Sequence, residues 1–84
     1  MRIDLFLKTS RLIKRRKIAH EAVTNNLVLV NDVIVKPSYK VKTNDIIILK
    51  LGLKEITIKV LSLKPNKDEL MYELINEQYL GQRN

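Results

Sequence analysis

Residues 15–35 read RRKIAHEAVTNNLVLVNDVIV, and the hydrophobic period changes inside them. Ile18, Ala19, Ala22 and Val23 stand at i, i+1, i+4 and i+5, which is one face of an α-helix. Arg16, Lys17, His20, Glu21 and Thr24 point away from that face, with Arg15 at its edge. The spacing predicts a helix over about 15–25, apolar on one side and cationic on the other. Asn25-Asn26 ends it, because Asn tolerates the left-handed conformation of a helix C-terminus. Period two then takes over: Leu27 to Val30 and Val33 to Val35 flank Asn31-Asp32, a tight hairpin signal.

Upstream, Ile3, Phe6 and Leu7 repeat at helical spacing behind Asp4, predicting a first helix over about 3–11 and a brief basic connection at Ile13-Lys14. Downstream, Lys36-Pro37-Ser38 closes the hairpin unit and Thr43-Asn44-Asp45 is a second turn. Strands follow over 46–51 and, after a turn at Gly52, over about 55–63. Ile56, Ile58 and Val60 alternate there, while Leu61 and Leu63 break the phase, so a bulge or strong bend is expected near residue 60. Asn66 with Glu69 resembles a capping box, and Leu70, Met71, Leu74 and Ile75 fit a last helix. An added strand over 70–75 is the alternative. The order α-α-β-β-β-β-α reads as α+β.

The chain has 84 residues and a net charge of +7. That length fits one small domain, since domains usually run to ~100–150 residues. With no Cys, neither a disulfide scaffold nor a thiolate site is available. One His and four Asp disfavour a protein-only metal cage or a catalytic triad, so no cofactor or metal is expected. The longest apolar runs have four residues, against ~20 for a membrane span, and Asp4 and Lys8 leave no apolar signal-peptide stretch. These features predict a soluble, intracellular, basic binding module.

The charge is concentrated. Residues 1–20 carry seven basic side chains and one acid, a net of +6, whereas residues 65–84 net −2. Such asymmetry points to a polyanion. Scattered lysines such as Lys54 and Lys67 fit a lysine-rich composition bias. Four of the five arginines, at 2, 11, 15 and 16, do not. Arg presents a planar donor fork suited to phosphates.

The residues Met1-Arg2-Ile3-Asp4-x-x-Leu7, Arg11-Leu12-Ile13-Lys14-Arg15-Arg16-x-x-Ala19, Val28-x-Val30-Asn31-Asp32-x-x-Val35-Lys36-Pro37-Ser38 and Val41-Lys42-x-x-Asp45-x-Ile47 together resemble the S4 RNA-binding domain family. The resemblance spans roughly residues 1–50, and 1–63 with the trailing strands. It implies two N-terminal helices packed on a small bent antiparallel sheet of four to five strands. Residues 1–63 would form the S4 domain and 64–84 a C-terminal helical extension. The Arg-Leu-Ile-Lys-Arg-Arg segment looks closer to the stand-alone S4 proteins of bacterial ribosome-associated quality control than to the heat-shock S4 type. For that group the resemblance implies a cytoplasmic, non-catalytic factor on split, stalled large subunits. It would bind large-subunit rRNA and peptidyl-tRNA, and hold the tRNA in the P site while a tail-adding factor of the RqcH/NEMF family extends the chain with alanine. Off the ribosome it would be a monomer. The alternatives are a heat-shock-type S4 factor recycling stalled large subunits, an RNA-binding accessory of an enzyme, and a ribosome assembly component. The family often has Gly where this chain has Asn26, Asp32 and Asn44, and Lys or a similar polar residue where it has His20. Asn and Asp enter the left-handed region, so the backbone geometry survives.

RNA recognition here is expected to be led by phosphate and shape, because A-form helices hide their base edges in a deep major groove. One Phe, three Tyr and no Trp give no aromatic stacking sheet. The expected contacts are Arg2, Arg11, Lys14, Arg15, Arg16 and Lys17. By the resemblance, Asn31, Lys36, Ser38 and Lys40 form a second flank. Simpler roles stand beside these. Lys17 and Glu21 are an i, i+4 pair that stabilises a helix by ~0.3–0.5 kcal/mol. Asp4 reads as a cap or as an orienting partner for an arginine. Asn31 is equally a turn residue, His20 reads as a solvated helix position, and Lys40 and Lys42 as exposed strand lysines.

Overall fold

The computed structural model describes residues 1–79 and 81. Its elements are α1 (Ile3–Thr9), α2 (Arg16–Thr24), β1 (Val28–Val30), β2 (Val33–Ile34), β3 (Ile46–Leu51), β4 (Lys54–Val60) and β5 (Tyr72–Tyr79). The strands form one antiparallel sheet in the order β2-β1-β3-β4-β5. Register explains which face is buried. Val28 pairs with Leu49, Val30 with Ile47, and Ile47 with Ile58, so these side chains share one face. Ile3, Phe6 and Leu7 of α1 and Ala19, Ala22 and Val23 of α2 close over that face, and all but Ala22 are almost wholly inaccessible. The α+β class and the helix-pair-on-sheet arrangement are as expected from the sequence.

Left-handed backbone does the turning. Asn26 has φ +62°, the Leu27 N–H donates to the Ala22 carbonyl, and the Asn26 N–H to that of Val23. These are the two bonds of a Schellman motif, which ends α2 where the Asn pair predicted. Asn31 and Asp32 both have positive φ, at +50° and +69°, as a type I′ hairpin requires. Asn44 follows the same rule at +78°. Replacing Asn26 by Gly is expected to raise stability by up to ~1 kcal/mol in urea unfolding, because Gly enters this region without a steric cost.

Four expectations need correction. First, α1 stops at Thr9 rather than 11, because Arg11 takes φ +69° and leaves the helical path. Second, Ile18 is half exposed. It lies about 100° round the helix from Ala19, outside the narrow stripe that two alanines and Val23 press on the sheet. Third, β4 runs unbroken to Val60 and the phase break at Leu61 is simply its end. The irregularity falls between Thr57 and Ile58, whose partners Asn76 and Leu74 leave Ile75 as the extra residue on β5. Fourth, no C-terminal helix is present among the described residues, and Tyr72–Tyr79 form a strand, which agrees with the alternative for 70–75 rather than with the helix. Pairing with β5 satisfies the outer backbone edge of β4, which a helix there would leave open. The capping box is also absent, since the Asn66 side chain accepts from the Asp68 N–H two residues on.

Candidate nucleic-acid interface

The first turn of α1 holds a buried carboxylate. Asp4 is 2 % exposed. Its Oδ1 accepts the orphan N–H of Leu5 at 2.7 Å, while the Ile3 N–H donates to the Tyr39 carbonyl at 2.8 Å. Three side chains converge on the same carboxylate. Arg2 donates through Nε and Nη2 at 3.3 and 3.1 Å, and Arg16 through Nη2 at 3.5 Å. His20 Nδ1 lies 3.3 Å from Oδ2. Burial alone would raise the Asp4 carboxyl. The hydrogen bonds from His20, Arg2 and Leu5, with the charge of Arg16, outweigh it and hold the group below its ordinary range. Asp4 therefore stays ionised and draws in cations from two elements. Each of the three side chains keeps roughly half of its surface in solvent: 43 % for Arg2, 48 % for Arg16 and 51 % for His20.

A second buried aspartate fixes the adjoining loop. Asp45 accepts from the Asn31 amide at 3.1 Å, the Tyr39 hydroxyl at 2.8 Å and the Lys42 N–H at 2.9 Å. Burial would raise this carboxyl as well. The bonds from Lys42, Tyr39 and Asn31 and the Lys42 charge lower it. Burial and then the bond to Asp45 push the Tyr39 phenol up. Lys42 Nζ sits 5.5 Å from the centre of the Tyr39 ring. Tyr39 thus joins the two carboxylates, bonding α1 through its carbonyl and Asp45 through its hydroxyl. The Val41 N–H donates to the Met1 carbonyl, and Arg2 pairs with Lys40 as an isolated antiparallel bridge. The chain order 2, 4, 16, 20 and 40 becomes one neighbourhood.

The S4 domain model matches residues 1–47 of the 84. A curated relative from Listeria monocytogenes, named RQC P-site tRNA stabilizing factor, is 40 % identical over 93 % of this chain and 89 % of its own. A Bacillus subtilis protein of the same name is 40 % identical over 98 % of this chain and its own full length. The chain belongs to the S4 domain family. Among solved structures, the trimeric Heat Shock Protein 15 of Vibrio cholerae superposes with a TM-score of 0.81 at 28 % identity, over 89 % of this chain and 81 % of that one.

Within this S4 fold the expected contact residues divide into four groups, with Asn31 apart. Arg2, Arg16 and Lys40 gather at the Asp4 end. Arg11 and Lys14 lie in the α1–α2 connection, where with Lys8 and Thr9 they line a groove of about 520 Å³. Arg15, as the N-cap of α2, and Lys17, in its first turn, are exposed. Lys17 forms no ion pair with Glu21 among the described residues, so its ammonium is available. Lys36 and Ser38 are exposed on the loop that Tyr39 anchors. Asn31 has another duty: its carbonyl oxygen accepts the Ile46 N–H while its amide holds Asp45. Sequence reasoning missed the parts played by His20, Tyr39 and Asp45. His20 departs from the solvated role expected of it, because Asp4 lies one helix away and sixteen residues upstream.

Proposed function

We propose that this chain is a non-catalytic RNA-binding factor of bacterial ribosome-associated quality control. It binds large-subunit rRNA and peptidyl-tRNA on split, stalled ribosomes and stabilises the P-site tRNA during alanine tailing by a factor of the RqcH/NEMF family. It works in the cytoplasm, on the ribosome, and is a monomer away from it. The observation that carries this reading is the Asp4 cluster, which aims two half-exposed arginines from different elements beside the Lys40 loop. Guanidinium forks held at fixed spacing suit the phosphates of a folded RNA better than mobile lysines do. The names of the relatives, at about 40 % identity across nearly the whole chain, supply the setting. No side chain is asked to do chemistry. The factor biases tRNA position by contact alone.

Purifying the tagged protein from cells tests this. Free large subunits carrying tRNA and a tail-adding factor support it; intact translating ribosomes, or no ribosomes, refute it. Large subunits with tRNA but no tail-adding factor favour the heat-shock-type recycling role. Within the site, Arg16→Ala is expected to weaken large-subunit binding about tenfold in a pelleting assay, the scale of one charged hydrogen bond. Lys54→Ala, on β4 and paired 2.9 Å from Glu77, is expected to leave binding unchanged. Equal losses would remove the case for a specific face.

A further inference from the structure

His20 is held through one ring nitrogen. Nδ1 faces Asp4 Oδ2 at 3.3 Å, and Nε2 makes no hydrogen bond among the described residues. A carboxylate only accepts, so an ionised Asp4 requires the proton on Nδ1. In the neutral ring, Nε2 is then left with a bare lone pair. It lies on the far side of the ring from buried Asp4, on a side chain that is 51 % exposed. The groups that share Asp4 with it, Arg2 and Arg16, can only donate. The cluster therefore offers solvent a set of donors and one side-chain acceptor.

That mixture selects a ligand. Phosphodiester oxygens accept from guanidinium groups but have no proton to give to Nε2. A ribose 2′-hydroxyl, one sugar bond away from each phosphate in RNA and absent from DNA, donates as well as accepts. We propose that His20 Nε2 accepts a hydrogen bond from a ribose 2′-hydroxyl while Arg2 and Arg16 hold the adjoining phosphates. His20 is then the residue of this site that distinguishes ribose from deoxyribose, and Asp4 sets the tautomer that lets it do so. The inference rests on the RNA-binding reading above and names one group that such binding would recognise.

The test uses two hairpins of one sequence, one all-ribose and one with 2′-fluorine throughout its stem. Fluorine keeps the A-form sugar pucker but has no proton to donate. In fluorescence anisotropy with the full chain, the wild type is expected to favour the ribose hairpin by about three- to tenfold, the scale of one net hydrogen bond. His20→Ala is expected to lower affinity for the ribose hairpin by that factor and to leave the fluorinated one unchanged. His20→Phe keeps a planar ring and removes both ring nitrogens, so it is expected to bind both hairpins equally, its loss confined to the ribose hairpin; it carries the test if the alanine variant fails a thermal-melting check. A wild type without preference, or a His20→Ala loss equal on both hairpins, overturns the inference and leaves the RNA-binding reading standing. A wild type that binds neither hairpin at low salt overturns both.

Discussion

Raising salt fourfold, from about 50 to 200 mM, is expected to weaken binding to ribosomal RNA by about 250- to 1,000-fold, a log–log slope of −4 to −5. The figure follows from six cations, Arg2, Arg11, Lys14, Arg15, Arg16 and Lys17, each releasing ~0.7–0.9 counterions as it meets a phosphate. The structure places the expected slope at the shallow end of that range. Arg2 and Arg16 already share a carboxylate, so their cluster displaces fewer counterions than two free arginines would. Filter binding or anisotropy across a salt series measures it directly. Removing Arg16 should make the slope shallower by a little under one. Replacing His20 by alanine should leave the slope where it is, because a 2′-hydroxyl contact releases no ion. An affinity indifferent to salt would sink the electrostatic account of this face.

How far the sequence could be read depended on the range of each interaction. The stripes Ile3-Phe6-Leu7 and Ala19-Ala22-Val23, the Asn pair after α2 and the Asn31-Asp32 turn are local patterns, and each is present. Ile18 failed because periodicity counts apolar residues without knowing how wide the partner surface is. Leu70, Met71, Leu74 and Ile75 failed for a related reason. Their spacing is helical, but the free edge of β4 recruits the segment as a strand, and of the four only Met71 is buried. The cation cluster was legible as composition, with +6 in the first twenty residues, and Asp4 as an orienting partner for an arginine. Its geometry was not. Asp45 makes the limit plain: its partners stand 14, 6 and 3 residues away, so its role exists only once two turns and a loop have met. The carboxylates that aim the cations carry no local signature beyond being acidic residues in a basic chain.

Asp4→Asn separates aim from charge. The substitution keeps the shape and raises the net charge by one, so bulk electrostatics alone would strengthen binding to a polyanion. The geometry demands the opposite. Asparagine offers one acceptor oxygen in place of two, and its NH₂ finds no acceptor on either guanidinium. Charge-assisted bonds from Arg2, Arg16 and His20 weaken or break, and both guanidinium groups regain the rotamers that the carboxylate removed. RNA affinity is therefore expected to fall about tenfold or more despite the added positive charge. Combined with Arg16→Ala, the loss should be less than the sum of the two, because Asp4 acts partly through Arg16. Stability should fall by about 2 kcal/mol, below the scale for a fully buried pair because the three partners are half exposed. In a domain of this size that is a large share of the whole, and it should lower Tm by roughly 8–16 °C. The pH dependence fixes the sign independently. Asp4 is lowered in the folded state, so its contribution is complete above the ordinary aspartate value of 3.8 and is lost as pH falls through the lowered one. Asp45 behaves alike, so on the acid side the wild type should lose stability below that value, and Asp4→Asn should flatten this decline. Tighter RNA binding by a folded Asp4→Asn protein would show that net charge, not the aimed arginine pair, governs this face.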